Sequence, residues 1–388
     1  MALATASGLA SFDQSAGEFL DLSNELAEII RRDNTAFISR IGISGEATET
    51  THYWMEDILN PNTSSTPNTA AGYLDAGETS VDVSPGHGIR FRRGTLFRDT
   101  APGRTEVMQV TNVVGDTLTI VRGYGSTTGE THGVPAATGF SIQIIAHTNQ
   151  ESQDPPGDES RIRTRVFNNT QIFQRGIQVS HTMRSVLQAG VADEFTFQIA
   201  RRMQEIEREL DSSVILGIRN EAPAGGSDAV YRSMGGLIEF CSQAGGNVNT
   251  TPADLNPTVV NTLVRQIWDD GGTPNFILVS GRMKQRISAF DQANRRSTYD
   301  STIAGYVVDK FLSDLGFSLE VIVDPWMPDD TVIVGDLSKI RIMPLRGDAM
   351  RAEELARTGR TWRAQVTGQY TCEVRNARES FAFHNNLS

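Results

Sequence analysis

The chain has 388 residues, of which 38% are hydrophobic and 21% are charged. This length predicts two or three domains, and the composition is too apolar and too evenly mixed for a disordered protein. The formal net charge of -12 excludes a protein whose whole surface binds nucleic acid, because phosphate binding needs many cations on one face.

The basic residues are nearly all arginines. Only Lys284, Lys310 and Lys339 are lysines among the 35 basic residues. Arginine pairs with carboxylates through two parallel hydrogen bonds, so it suits crowded contacts between subunits. A GC-rich coding bias explains the same ratio equally well.

The sequence carries no export signal. Its first residues lack a basic region followed by an apolar stretch, and no apolar run is long enough to span a bilayer. We therefore expect a soluble protein that is made in the cytoplasm. Cys241 and Cys372 are too few to stabilise the fold by disulfides and are expected to stay reduced.

The amino-terminal region predicts an arm. Small polar residues precede Phe19, Leu22, Leu26 and Ile29, which recur at the spacing of one helix face. A helix this short cannot bury its apolar stripe alone, so it must dock on another element or another subunit. Residues 60–70 are rich in Asn, Pro, Thr and Ser and predict a linker.

Residues 72–147 predict a compact all-β region. Short alternating runs are separated there by Gly, Pro and Asp. The clearest pattern is a hairpin with strands at residues 107–113 and 118–121 and a turn around Gly115 and Asp116. Residues 150–160 predict the linker that follows.

A long helix is predicted over residues 191–217, with Phe195, Ile199, Ile206, Leu210 and Val214 on one face. Such a helix would be about 40 Å long. Residues 230–335 then alternate between helical and strand patterns, which predicts a mixed α/β domain. Three further strands are predicted near residues 340–343, 362–368 and 370–374, as a sheet that packs on the long helix.

The sequence gives little support for a catalytic motif. The best enzyme candidate is a serine hydrolase with Ser280, Asp324 and His384, in the chain order of α/β-hydrolases. The glycine that a nucleophile elbow needs two positions before the serine is Leu278, and His384 is predicted in a polar tail. We therefore interpret Ser280 as a helix cap and expect no enzyme.

Cofactor sites are not predicted either. None of the three lysines lies in a P-loop, and the six histidines never occur at metal-ligand spacing. Gly86-His87-Gly88 and Gly123-Tyr124-Gly125 are fragments of a dinucleotide fingerprint without a following helix, so turns are the better interpretation. We expect no metal and no cofactor.

The order of arm, excursion, long helix, α/β domain and returning sheet resembles the Hong Kong 97-type capsid fold of tailed bacteriophages. Local phrases that are similar to one branch of phage major head proteins are Phe37-Ile38-Ser39-Arg40-Ile41-Gly42, Trp54-Met55-Glu56-Asp57, Thr170-Gln171-Ile172-Phe173, Val179-Ser180-His181-Thr182, Ile277-Leu278-Val279-Ser280, Asp324-Pro325-Trp326-Met327-Pro328 and Glu373-Val374-Arg375-Asn376. The resemblance covers nearly the whole chain outside residues 72–147.

This resemblance implies an α+β fold with five parts. They are an N-terminal arm at 1–45, E-loop strands and linkers at 46–71 and 148–188, an inserted all-β domain at 72–147, a peripheral domain with the spine helix at 189–229 and 336–388, and an axial α/β domain at 230–335. Residues 115–120, 122–125 and His132 are similar to a small β module of phage virion proteins.

Two departures from the family pattern matter. Some relatives join subunits by an isopeptide bond from an E-loop lysine, but this chain has no lysine before Lys284. Non-covalent contacts are therefore expected to hold the shell. Some relatives also carry a long amino-terminal scaffolding segment, whereas here we expect a separate scaffold or none.

The implied function is a major capsid protein that self-assembles into an icosahedral head in the virion, assembled in the host cytoplasm. The implied partners are further copies in hexamers and pentamers, portal, scaffolding and decoration proteins, and packaged double-stranded DNA, with no membrane. Candidate subunit-facing or DNA-facing residues are Arg31, Arg32, Arg161, Arg163 and Arg165. Three alternatives are an encapsulin-like nanocompartment shell, the Ser280 hydrolase, and a tail or adhesin module that binds glycans.

Overall fold

The computed structural model describes residues 36–57, 59–69, 72–134, 139–151, 160, 162–186, 191, 193–220, 231–243, 246–290, 310–357 and 359–388. The predicted helix that contains Phe19, Leu22, Leu26 and Ile29 lies outside these ranges. The chain divides into two compact units. The larger unit comprises Met1–Trp54 and Arg165–Ser388, and the smaller unit is Met55–Thr164.

The helices and strands follow one another in this order: α1 (Ala36–Ile41), β1 (Thr51–Glu56), β2 (Thr63–Ser65), β3 (Ser80–Asp82), β4 (Thr95–Asp99), β5 (Val107–Val114), β6 (Thr117–Val121), β7 (Ser141–His147), β8 (Thr164–Asn169), β9 (Gln171–Ser180), α2 (His181–Ser185), α3 (Glu194–Leu216), α4 (Leu237–Gln243), β10 (Asn247–Asn249), α5 (Pro257–Asp269), β11 (Phe276–Val279), α6 (Gly281–Ser288), β12 (Lys310–Leu312), β13 (Ser318–Val323), β14 (Val332–Gly335), β15 (Ile340–Pro344), β16 (Arg351–Leu355), β17 (Thr361–Val374), α7 (Ala377–Ser380) and β18 (Phe381–His384). Short 3-10 turns lie at Gly88–Arg90, Tyr124–Ser126 and Leu337–Lys339.

The long helix α3 begins at its cap Asp193, whose carboxylate accepts a hydrogen bond from the Phe195 N–H. Its buried stripe runs from Phe195 to Ile215, as the spacing predicted. The stripe packs on a four-stranded sheet in which β17 lies between β9 on one edge and β15 and β16 on the other. The strands predicted near residues 362–368 and 370–374 form the single strand β17, because no turn residue interrupts them.

A second, mixed sheet in the larger unit has the order β10-β18-β14-β11-β13-β12. Both faces of its centre are buried, since β11 and β14 have no exposed residue. On one face Ile277, Val279 and Val334 pack with α5 and α6, and on the other Phe276 and Leu278 pack into the core that includes α3.

The last strand, β18, was not among the predicted strands. β18 lies between β10 and β14 in the mixed sheet, so residues 336–388 do not all join the sheet on the long helix. Its register pairs Phe381 with Gly335, where an added Cβ would lie 2.2 Å from the Phe381 ring. The prediction that His384 lies in a polar tail is therefore wrong, because His384 is the buried end of β18.

The smaller unit contains a six-stranded sheet of order β2-β7-β4-β5-β6-β3. Its hairpin of β5 and β6 turns at Gly115, whose φ of +62° favours glycine. One face of the sheet is buried, with Phe97, Met108 and Ile142 among its fully covered side chains. The prediction of short alternating strands is confirmed in the described residues, whereas the predicted bounds of an inserted domain, 72–147, stay a prediction.

Candidate functional site

A groove lies beside α3 in the larger unit. We call it the β9 groove: its walls are residues 174–180 of β9, Met183 of α2, and Glu194, Gln198 and Arg202 of α3, and its volume is about 710 Å³. Within the described residues β17 is the only strand paired with β9, so the other edge of β9 borders the groove. Backbone groups on such an edge are available to another chain.

Ion pairs fix the charged side chains of this groove. Arg175 of β9 pairs with Glu209 and, at 3.9 Å, with Glu205 of α3, and Arg202 pairs with Glu205. Arg175 therefore links β9 to α3 within one chain, whereas Arg202 pairs within α3. Met183 and the neighbouring Val186 remain exposed at one end of the groove.

An arginine and tryptophan cluster lies at the start of α3. The guanidinium groups of Arg184 and Arg357 lie 4.2 Å and 3.1 Å from the centre of the Trp362 ring. Arg184 also pairs with the α3 cap Asp193 at 3.8 Å. Cation–π contacts of this kind hold α2 and the end of β16 against β17.

Two of the five predicted basic residues lie in described ranges. Arg163 is exposed and pairs with Asp57 at 3.8 Å. Arg165 is exposed and stacks 4.6 Å from the centre of the Tyr53 ring. Arg31, Arg32 and Arg161 lie outside the described residues.

The three residues of the hydrolase alternative each have a local partner. Ser280 Oγ accepts a hydrogen bond from the Met283 N–H and caps α6, as predicted. Asp324 Oδ1 accepts from the Trp326 N–H, and His384 Nδ1 lies 2.6 Å from the backbone oxygen of Asn385. No hydrogen bond of Ser280 to His384 or of His384 to Asp324 occurs in the described residues, so this geometry gives no support to a catalytic triad.

A buried carboxyl pair lies where α3, β13 and α1 meet. Asp211 of α3 and Asp324 after β13 are both fully buried. Asp211 Oδ1 accepts a hydrogen bond from the Ile38 N–H at 3.2 Å, and the Phe37 N–H donates to Asp324. Burial and the charge of Asp324 raise the pKa of Asp211 to about 8, and burial also raises the pKa of Asp324.

Sequence reasoning missed this pair although a signal was present. Asp211 lies between Leu210 and Val214 of the apolar stripe, so a helical pattern places it on the buried side. The predicted stripe contains only apolar residues and therefore leaves out Asp211. The partner Asp324 could not be inferred, because it is 113 positions away in sequence.

The smaller unit contains a different buried acidic site. His132 Nδ1 lies 2.9 Å from Asp99 Oδ2, and His132 Nε2 lies 2.9 Å from Glu106 Oε2. Glu106 also accepts from Arg122 and from the N–H groups of Gly123 and Glu130. Each ring nitrogen of His132 therefore lies within hydrogen-bond distance of a carboxylate oxygen.

Two carboxylates share this site with Arg122 and His132. The hydrogen bonds from Arg122, from the Glu130 N–H and from His132 lower the pKa of Glu106 to about 2 against the cost of burial. The sequence indicates for His132 only a resemblance to a β module, and not this buried site. Gly86, Gly123 and Gly125 have positive φ angles, which confirms the turns predicted there.

None of the helices in the described ranges combines the length and apolar character needed to cross a bilayer. Within the same ranges no three or more His, Cys, Asp or Glu side chains are grouped to hold a metal ion.

The family model of the SU10 major capsid protein matches residues 5–388. The chain belongs to the SU10 major capsid protein family. Its members are structural capsid proteins, and the chain is a phage major capsid protein whose copies associate into the icosahedral shell of the virion. This finding favours a phage capsid over the encapsulin-like alternative.

Relatives agree with this assignment. The SU10-family chain is 25% identical over 240 residues to the major capsid protein of Escherichia phage Phieco32, which covers 50% of this chain and 68% of that protein. A solved structure from Mycobacterium phage Bobi has a TM-score of 0.52 at 10% identity and covers 98% of this chain and 99% of the other. The capsid of a native GTA particle has a TM-score of 0.51 at 10% identity, with 99% and 100% covered. These likenesses confirm the predicted Hong Kong 97-type fold.

Proposed function

We propose that this capsid protein forms the hexamers and pentamers of a tailed-phage head that encloses double-stranded DNA. We further propose that it assembles in the host cytoplasm with portal, scaffolding and decoration proteins. The family and the fold support a shell-building subunit, and the net charge of -12 agrees with contacts to DNA that are local.

The predicted domain roles are part of this proposal. Residues 1–45 act as the arm, 46–71 and 148–188 as the E-loop, and 72–147 as an inserted domain that braces a neighbour or projects from the shell. Residues 189–229 and 336–388 form the peripheral domain, and 230–335 the axial domain, with β18 assigned to the axial sheet.

The observation that carries the assembly proposal is the β9 groove. A strand edge, a charged helix wall and the exposed Met183 line this groove, and Val186, three positions further along the chain, is also exposed. A shell subunit needs such surfaces, because many modest contacts with other copies must withstand the pressure of packaged DNA. The occupant we propose is a second copy of this chain.

Electron microscopy of the full-length chain, expressed alone and with its neighbouring scaffold gene, tests the proposal. We expect closed shells or rings from the unchanged chain, and few or none from Met183→Glu with Val186→Glu. Both side chains are exposed, so the substitutions should leave the fold intact. Met183→Leu with Val186→Ile keeps both side chains apolar at the same positions and serves as the control, which should form shells normally. Normal shells from the double variant would contradict a role for this groove.

We propose that contacts between copies are non-covalent. The sequence has no lysine before Lys284, so an isopeptide bond from an E-loop lysine is not available. Boiled shells should therefore migrate as single chains on a denaturing gel. A ladder of linked subunits would refute this part of the proposal.

The arginines Arg31, Arg32, Arg161, Arg163 and Arg165 are proposed to contact neighbouring subunits or the packaged DNA. Arg163→Gln and Arg165→Gln separate the two roles, because loss of shells indicates subunit contacts and loss of nuclease-protected DNA from intact shells indicates DNA contacts. Unchanged shells with unchanged DNA would exclude both roles for these two residues. Cargo enzyme in place of DNA would favour the encapsulin-like alternative.

A further inference from the structure

The Asp211 and Asp324 pair connects three elements of the larger unit. Asp211 belongs to α3, Asp324 follows β13, and the backbone N–H groups of Phe37 and Ile38 in α1 donate to the pair. The Phe37 ring is fully buried and lies 6.0 Å from the Phe276 ring of β11. The two carboxyls therefore bind the backbone of α1 while its aromatic side chain packs in the core.

One proton accounts for the geometry of the pair. The Oδ2 atoms of Asp211 and Asp324 are both buried and receive no hydrogen bond from any donor in the described residues. Two ionised carboxylates would repel each other here and leave both oxygens without a donor, which costs several kcal/mol. If the pair carries one proton, one carboxyl donates a hydrogen bond to the other, and both Oδ2 atoms then have a hydrogen-bond partner.

Other charged groups near α1 do not neutralise the pair. They are Arg40 of α1, Glu320 of β13, Glu205, Arg208 and Glu209 of α3, Lys339 of the 3-10 turn and Arg341 of β15. Arg40 pairs with Glu320 at 2.6 Å, and both α3 glutamates pair with Arg175. Arg208 lines a surface groove with Trp326, Arg341 is exposed, and Lys339 is half-buried.

We propose that Asp211 and Asp324 share one proton that acts as a latch on α1. While the proton is bound, the pair holds the Phe37 and Ile38 N–H groups. When it is lost, two carboxylates repel each other in a buried site and α1 detaches. This inference stands apart from the proposed assembly contacts, because it concerns contacts within a single chain.

The direction of the pH response follows from the raised pKa of both carboxyls. The protonated pair is favoured in the folded state at neutral pH, and the latch opens as pH rises through about 8. Alkaline pH therefore releases α1 from the buried pair.

Hydrogen exchange of the full-length chain, measured for the peptide that contains residues 36–41, tests the latch. After scaling for intrinsic rates, protection should fall at least about tenfold between about pH 6 and about pH 9. Asp211→Asn should keep its protection at both values, since the amide donates to Asp324 without a titrating proton. Asp329→Asn removes an exposed carboxylate near Asp324 and should behave like the unchanged chain. Equal pH responses in Asp211→Asn and the unchanged chain would refute the latch.

Infrared spectroscopy gives a second readout that does not depend on α1. A carboxylic acid C=O band should be present near neutral pH, disappear above about pH 9, and be missing in Asp211→Asn. If that variant fails to fold, Asp324→Asn replaces it in both experiments. A band that is absent from the unchanged chain, or that survives both substitutions, would overturn the proposal.

Discussion

The two buried acidic sites of this capsid protein solve the same electrostatic problem in opposite ways. In the smaller unit, Glu106 and Asp99 are matched by Arg122 and His132, and the pKa of Glu106 is lowered to about 2. In the larger unit, no cation of the described residues pairs with Asp211 or Asp324, and the pKa of Asp211 is raised to about 8. Burial alone does not set the direction of a pKa shift, because the partners decide it.

Glu106→Gln is expected to have the largest effect on stability. Removing this carboxylate leaves the Arg122 guanidinium without its buried counter-charge and His132 Nε2 without its carboxylate partner, so we expect a loss of about 3 to 5 kcal/mol in the free energy of unfolding. Denaturant unfolding of the full-length chain, followed by a probe in the smaller unit, measures it. Glu78→Gln changes an exposed acid of the same unit and should cost less than about 0.5 kcal/mol. Equal costs would show that the network contributes little.

The second largest effect is expected at acid pH, which should destabilise the smaller unit before the larger one. Because folding lowers the pKa of Glu106, the ionised carboxylate stabilises the smaller unit at pH values above the unfolded-state pKa of about 4.5. This contribution, about 1 to 3 kcal/mol, is lost as pH falls from about 4.5 towards 2. The Asp211 pair responds in the opposite direction, because acid keeps its proton in place. Hydrogen exchange at about pH 3 should therefore expose residues 95–132 before residues 206–215. The reverse order would contradict the comparison.

Asp211→Asn is expected to have the smallest effect and the opposite sign. A carboxyl with a raised pKa destabilises the fold increasingly as pH rises from about 4 to about 8, so the amide should stabilise the larger unit by about 1 to 2 kcal/mol near pH 8. Near pH 4 the difference should vanish. Thermal unfolding at both pH values measures it, and a destabilised variant at pH 8 would show that the pair does not titrate as described.

Periodicity predicted the elements whose packing is local. The spacing from Phe195 to Val214 predicted α3. The hairpin of β5 and β6 followed from the turn residues around Gly115. Each of these patterns is complete within one short segment.

Pairings between distant segments could not be predicted in the same way. The short segment Phe381–His384 is followed by polar residues, and only its pairing with β14 and β10 shows that it is a central strand. Similarly, no sequence pattern indicates that Asp211 and Asp324 pair. The network around His132 needs Asp99 from the end of β4, Glu106 from just before β5 and Arg122 from the loop that follows β6, which no linear spacing encodes.

The strand β17 has a consequence for the order of folding during synthesis. It pairs with β9 along ten positions, and Gln369 contacts Thr170 across 199 positions of sequence. Contacts of such separation form late, whereas the sheet of the smaller unit draws only on residues 63–147. The smaller unit can therefore fold on the ribosome soon after Thr164 emerges, while α3 must wait for nearly the whole chain before its sheet exists.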